Sequence, residues 1–418
     1  MPRPGTTGSS SLPSYGASAR RSRCCARDPP GARSWSSSRS WLGAEPERIA
    51  CDGAGLAHRY SFPIVTDPQG YRIEAFEATK VSRAQLREAA LFQQSISHER
   101  VPEDPLMAPE AIEARMLAQA PGEWHALFGA RDARGAVAGF SFVGWQKNEP
   151  GNQHLRWCEI AVGQGHRGRG LGRALLRRAV QAVADQGDDI VFMGQVTDRV
   201  PAGAKFGRAI GATPGLEMKT NQLDLMTVDR AKVREWADIA PAGYRLERID
   251  GPVPAELIAP YIESASGMND APRGDLRMDD WELSEQQIRD RETWQKQAGI
   301  ERWLILAVHE ASGAGAGFTE VSYDPRVPHL IWQQGTAVID SHRGHRIGLW
   351  MKAVMLDRIL DQRTNARFIR TGNANTNAQM LAINTQLGFR PAWSSALWQL
   401  TLADARKAVG LERAGATA

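Results

Sequence analysis

The chain has 418 residues, of which 42% are hydrophobic and 23% charged, and it carries a net charge of +4. That is ordinary globular composition, which excludes a collagen-like or wholly disordered chain. Roughly 150 residues per domain gives two or three domains; the weak basic balance does not argue for nucleic acid, and no stretch approaches the ~18 uncharged apolar residues of a membrane helix.

Residues 1–58 differ from the rest. They are rich in Ser, Arg, Gly and Pro, with no periodic apolar pattern. Such a segment buries too little surface to offset its ordering entropy, so a disordered tail is expected. It has no apolar h-region of a secretory signal. The cysteines, Cys24, Cys25, Cys51 and Cys158, form no CxxC pair. Reduced thiols in a cytoplasmic protein are expected, with no disulfide framework and no metal site.

Beyond the tail the chain states one unit twice. Gly70-Tyr71-Arg72-Ile73-Glu74 recurs as Gly243-Tyr244-Arg245-Leu246-Glu247, and Gly139-Phe140 as Gly317-Phe318. His166-Arg167-Gly168 recurs as His342-Arg343-Gly344, and Ile210-Gly211 as Leu387-Gly388. Four matches in one order at nearly constant spacing mark an internal duplication. Two domains are therefore expected, at 59–228 and 242–405.

In each unit a first strand (71–76; 244–248) precedes a helical region. Two alternating segments joined by Gly-containing turns predict a hairpin (124–131 with 137–146; 302–309 with 317–323). A central strand follows (154–162; 330–339), then a glycine-bearing turn and a long amphipathic helix. Its apolar face is marked by Leu171, Leu175, Val180 and Val183, or by Ile347, Met351, Met355 and Ile359. A further strand (189–196; 368–372), a short helix and a last strand (216–223; 392–400) close each unit. The fold class is mixed α/β, a mostly antiparallel sheet flanked by helices. Trp303, Trp332 and Trp350 fall in core patterns. Trp281 and Trp294 could line an acceptor pocket.

The sharpest signal is the turn Val162-Gly163-Gln164-Gly165-His166-Arg167-Gly168-Arg169-Gly170-Leu171-Gly172. A strand ends and a helix begins across it. Bare amides and the helix dipole meet there, and glycines keep side chains away, so the turn can cradle a diphosphate. Arg167 and Arg169 can add charge-assisted contacts. Gly163-x-Gly165-x-x-Gly168 also fits the dinucleotide fingerprint, but Asp188 and Asp189 precede the next strand instead of ending it.

Arg167-x-x-Gly170-x-Gly172 after Val162 resembles the acetyl-CoA loop of the GNAT N-acetyltransferase superfamily. Val338 through Arg343-Gly344-His345-Arg346-Ile347-Gly348 resembles the same loop, with Arg346 where the first key glycine stands. Asn377-Ala378-Gln379-Met380 and Gly388-Phe389 are similar to the last helix and turn of that superfamily. The resemblance covers both repeats and points to two tandem GNAT-like domains.

The resemblance implies acetyl transfer from acetyl-CoA to a small-molecule or peptide amine in a ternary complex; composition and spacing lead us to expect no metal, nucleic acid or membrane. It places pantetheine in a gap beside the central strand. Backbone near Val162 or Val338 would face the thioester carbonyl. Arg167, Gly168, Gly170 and Gly172, and Arg343, Gly344 and Gly348, would hold diphosphate. Asn373 and Asn377 would meet pantetheine amides; capping the last helix is the other reading for Asn377. The candidate bases are Glu159 and Glu320, and Asp270 and Asp275 are candidates for holding a cationic amine. The superfamily's tyrosine position holds Gly207 in one copy and Asn384 in the other. The alternative is therefore a catalytically silent acyl-CoA-binding sensor or scaffold. The sequence leaves the oligomeric state open.

Overall fold

A computed structural model of the protein describes residues 62–412, so the expected tail lies outside the described residues. The first half runs β1 (Val65–Thr66), β2 (Arg72–Ala75), α1 (Arg83–Arg100), α2 (Pro109–Leu117), β3 (Glu123–Arg131), β4 (Val137–Gln146), β5 (Leu155–Val162), α3 (Leu171–Ala182), β6 (Val191–Thr197), α4 (Pro201–Ala209), β7 (Thr213–Asp224) and α5 (Arg230–Asp238). The second half runs β8 (Tyr244–Asp250), α6 (Ala255–Ser266), α7 (Glu285–Ala298), β9 (Glu301–His309), β10 (Gly315–Tyr323), β11 (Leu330–Val338), α8 (Ile347–Gln362), β12 (Phe368–Ala374), α9 (Ala378–Gln386), β13 (Arg390–Thr401) and α10 (Leu402–Ala408). The expected strands are all present, with no end moved by more than three residues.

Among the described residues the strands form one 13-stranded sheet in the order β1-β2-β3-β4-β5-β6-β13-β7-β12-β11-β10-β9-β8. The order shows an exchange. The last strand of the first half, β7, pairs with β12 of the second, from Phe368↔Asp224 to Ala374↔Met218. The last strand of the second half, β13, pairs with β6 of the first, from Ser395↔Thr197 to Thr401↔Val191. The two exchanged strands then pair with each other, antiparallel, at the centre of the sheet.

The cores record the same exchange. Leu400, Leu402, Ala405 and Val409 are buried with Leu171, Leu175 and Phe128 of the first half. Leu223, Leu225, Val233 and Trp236 are buried with Trp350, Met351 and Ile331 of the second. Full burial of each such aliphatic side chain contributes about 1.5–3 kcal/mol, so neither half closes its core alone.

β9 shows how the layers arise. Ile305 and Ala307 face the α8 side, and Leu304, Leu306 and Val308 face the α6–α7 side. Side chains alternate across a strand, so a strand apolar throughout must be covered on both faces. Trp303 and Trp350 are buried, but Trp332 is 39% exposed. It stands where β11 leaves its parallel neighbour, and two clefts open over it. No helix among the described residues is long and apolar enough to cross a membrane.

Candidate functional site

Both halves build the same corner. In the first, β5 ends at Val162, one tight turn covers Gln164–His166, and Gly170, at φ 83°, caps α3. In the second, β11 ends at Val338, a tight turn covers Asp340–His342, and Arg346, at φ 63°, caps α8. Arg346 is the one non-glycine residue with positive φ among those described. A side chain in that conformation costs about 1–2 kcal/mol. Its guanidinium is exposed, lines the cleft described below, and forms no hydrogen bond or ion pair within the described residues. The opening amides of α3 and α8 have no intrahelical acceptor, as at any helix start.

The loop arginines are structural ties. Arg167 Nε donates to the Val162 carbonyl at 3.0 Å, and its guanidinium grips Glu99. Arg343 Nε donates to the Val338 carbonyl at 3.1 Å and pairs with Asp340 and Asp270. Asp270 is thereby committed to the loop, and Asp275 lends its backbone to Gly215 and Gln399. The loop histidines are braced from the first strand of each half. Tyr71 Oη lies 3.1 Å from His166 Nδ1, and Tyr244 Oη lies 2.8 Å from His342 Nδ1. Burial, then the neighbouring His309, pulls His342 below the usual imidazole value.

Beside each corner two parallel strands part. β5 pairs with β6 only from Leu155↔Val191 to Trp157↔Met193. β11 pairs with β12 only from Leu330↔Phe368 to Trp332↔Arg370. The halves differ on the other edge of the central strand. β4 and β5 stay in register from Gly139↔Val162 to Gly144↔Trp157. Between β10 and β11 the register slips, with Thr319↔Thr336 followed by Val321↔Gln333. Gln334 and Gly335 therefore oppose the single residue Glu320. Such a bulge unpairs backbone groups and re-aims them. Gly335 is required there, because a Cβ would lie 2.8 Å from the Phe318 ring.

A cleft of about 800 Å³ fills the second gap, between the bulged strand, β12, α9 and the start of α8. Val338, Arg343, Gly344, Gly348, Asn373 and Asn377 all line it. Asn373 Oδ1 accepts from Asn221 Nδ2 and Asn384 Nδ2, at 3.2 and 2.8 Å. Asn377 caps α9 by accepting from the Met380 amide at 3.1 Å. Asn384 Oδ1 is buried without a donor.

Glu320 does not line that cleft. It is 2% exposed beneath α6 and α7, with Arg291 at 2.7 Å, Arg302 at 3.7 Å and the Tyr261 hydroxyl at 3.4 Å. Burial, then the Glu320 charge, pushes the Tyr261 hydroxyl up to about 12. Glu159 is exposed on β5, accepts from Trp157 Nε1 at 3.2 Å, and lines a separate pocket of about 470 Å³ in the first half. That pocket also holds Glu123, His125 and, from the second half, Trp294. Burial raises the Glu123 carboxyl and lowers the His125 imidazole. Sequence reasoning missed Glu123, whose one signal is a carboxylate opening a largely apolar hairpin strand. Trp281 instead packs beside the α6–α7 core. Among the described residues no group of His, Cys, Asp and Glu could hold a metal ion. Cys158 is free, and burial pushes its thiol up to about 12.

Residues 89–208 match the Acetyltransferase (GNAT) family. Among solved structures, a tandem GNAT protein from the clavulanic acid biosynthesis pathway is 24% identical, with TM-score 0.65 over 79% of this chain and 98% of that one. A GCN5-related N-acetyltransferase from Sphaerobacter thermophilus is 13% identical, with TM-score 0.57 over 79% and 96%. The N-myristoyltransferase of Saccharomyces cerevisiae with bound myristoyl-CoA is 10% identical, with TM-score 0.53 over 82% and 85%. No curated protein matches the sequence significantly. The chain shares its fold with these structures.

Proposed function

We propose that this tandem-domain GNAT protein transfers an acetyl group from acetyl-CoA to a small-molecule or peptide amine, with the thioester held in the cleft of the second half. The observation that carries the reading is the bulge at Gln334–Gly335 facing a parted β12 and leading to the bare start of α8. Amides freed by the bulge suit a thioester carbonyl and its oxyanion. The α8 amides suit a diphosphate, and Arg346 adds a mobile cation beside them. Asn373 keeps its Nδ2 for a pantetheine carbonyl, because its oxygen is already bonded twice.

An amine must lose a proton to attack. Glu320 is held by two arginines, so in this reading water carries that proton past Gln333, Gln334 and Thr336, which line the cleft. Glu159 and Glu123 line the separate pocket of the first half, so they take no part in this transfer. The domains are 59–228 and 242–405, each lending its last strand to the other, in a cytoplasmic protein.

The missing helix tyrosine and the locked Glu320 favour the second reading, a silent acyl-CoA sensor. Calorimetric titration with acetyl-CoA tests the first claim: one site per chain is expected, lost in Gly348→Trp and kept in Gly172→Ala. An amine panel with thiol release as readout then separates enzyme from sensor. Binding without release across the panel selects the sensor, and no binding of CoA at all defeats both.

A further inference from the structure

One buried amine reaches the second-half cleft. Lys352 stands on α8 four residues after Gly348, so both project from one helix face. It is 3% exposed, yet it lines the cleft. It makes no hydrogen bond or ion pair among the described residues; its Nζ sits 5.3 Å from the Phe389 ring centroid. Burying an unpaired ammonium is costly, and the group escapes the cost by shedding its proton. Burial pulls Lys352 down to about 7. Near neutral pH a large share of the chains therefore carries a free lone pair at this position.

The fold does not need an amine there. The equivalent residue of the first half is Leu176, 1% exposed in the core. The charged or titratable groups lining the same cleft are Asp270, His342, Arg343 and Arg346, all on the loop side. Asp270 and Arg343 neutralise each other. Lys352 is thus a nucleophile, neutral in a share of the chains, in the cleft assigned to the thioester.

We propose that Lys352 is itself an acyl acceptor. The inference rests on the second half holding acyl-CoA. The Nζ lone pair attacks the thioester carbonyl carbon, and a C–N bond forms. The C–S bond then breaks, the electron pair leaves with sulfur, and the nitrogen's proton passes to that thiolate. The products are an N-acyl lysine and CoA thiol. An amide does not hand its acyl group on, so the modified side chain stays neutral and fills part of the cleft. The device would limit the enzyme's own activity when acyl-CoA accumulates without an amine.

The full chain is incubated with acetyl-CoA and no acceptor, and its peptides are weighed. One acetyl group on Lys352 is expected, forming faster as pH rises through neutrality. Lys352→Met should stay unmodified and still bind CoA, because an apolar residue already fills the matching place in the first half. After acetylation, CoA affinity should fall at least about tenfold, the factor given by ~1.4 kcal/mol. If calorimetry shows CoA bound while Lys352 stays unmodified at pH 8, the inference is overturned and the functional reading stands. Equal labelling of exposed lysines at the same rate overturns it as well. If CoA does not bind, both fall together.

Discussion

The Tyr244 hydroxyl lies 2.8 Å from Nδ1 of His342, tying the first strand of the second half to the turn that opens α8. Tyr71 does the same for His166 at 3.1 Å. The tyrosine of the repeated Gly-Tyr-Arg-x-Glu segment therefore braces the loop in each half. Losing one such hydrogen bond costs about 0.5–1.5 kcal/mol. Tyr244→Phe should weaken CoA binding about two- to twelvefold by calorimetry, whereas Tyr71→Phe should leave it unchanged. Equal losses in the two variants would contradict the assignment of CoA to the second half.

Arg346 trades backbone strain for a cation at the cleft mouth. Arg346→Gly removes the strain and should raise unfolding stability by about 1 kcal/mol. The same change should weaken CoA binding. Arg346→Ala keeps the strain and loses the charge, so it should lower affinity without raising stability. Denaturant midpoints and titrations on both variants resolve the two effects.

Asp324, 4% exposed on its side chain, joins Arg115 of the first half to Arg326 of the second. Burial opposes its ionisation, but the hydrogen bonds from Arg326 and Arg115 prevail and hold its carboxyl below the usual value. A depressed carboxyl stabilises the fold above its unfolded value, and the contribution is lost as pH falls through the folded one. Asp324→Asn should cost about 1–2 kcal/mol at pH 7, less than a fully buried pair because both arginines are part-exposed. The gap between variant and parent should close on acidification toward pH 3 in urea unfolding.

The exchanged strands make the halves interdependent. Deleting residues 390–412 removes β13 from between β6 and β7 and takes Leu400, Leu402 and Ala405 from the first core. The first half should then lose its fold, although its own segment up to β7 is intact. Amide exchange of β3 and β4 reports the outcome; unchanged protection there would mean that each half folds alone.

Gly335 sets the bulge. Gly335→Val places a side chain against the Phe318 ring and should destabilise by about 1–3 kcal/mol, typical of overpacking. Phe318→Ala together with Gly335→Val should recover fold stability but not CoA binding, because the bulge amides stay displaced.

Much of this protein was legible in the sequence. The duplication, the strand and helix order and the diphosphate-type corner follow from spacing alone, because periodicity and turn chemistry are local properties. Residues whose meaning depends on distant partners read differently. Glu320 matches a base in type and element, but α7 brings Arg291 onto it. Arg167 and Arg343 match phosphate ligands, yet each bonds the strand carbonyl five residues back. Trp332 looks apolar and inward, and it lies open at the parting of β11 and β12.

The linear order of residues determined that two copies of one α/β unit exist and where each turns from strand to helix. Only the tertiary structure decided that β7 and β13 change places, that β11 bulges opposite Glu320, and that Lys352 is buried without a hydrogen bond or ion pair. Strand pairing is chosen between segments more than a hundred residues apart, and a register slip has no signature within one strand. An amine's basicity is likewise set by what surrounds it, which no local pattern encodes.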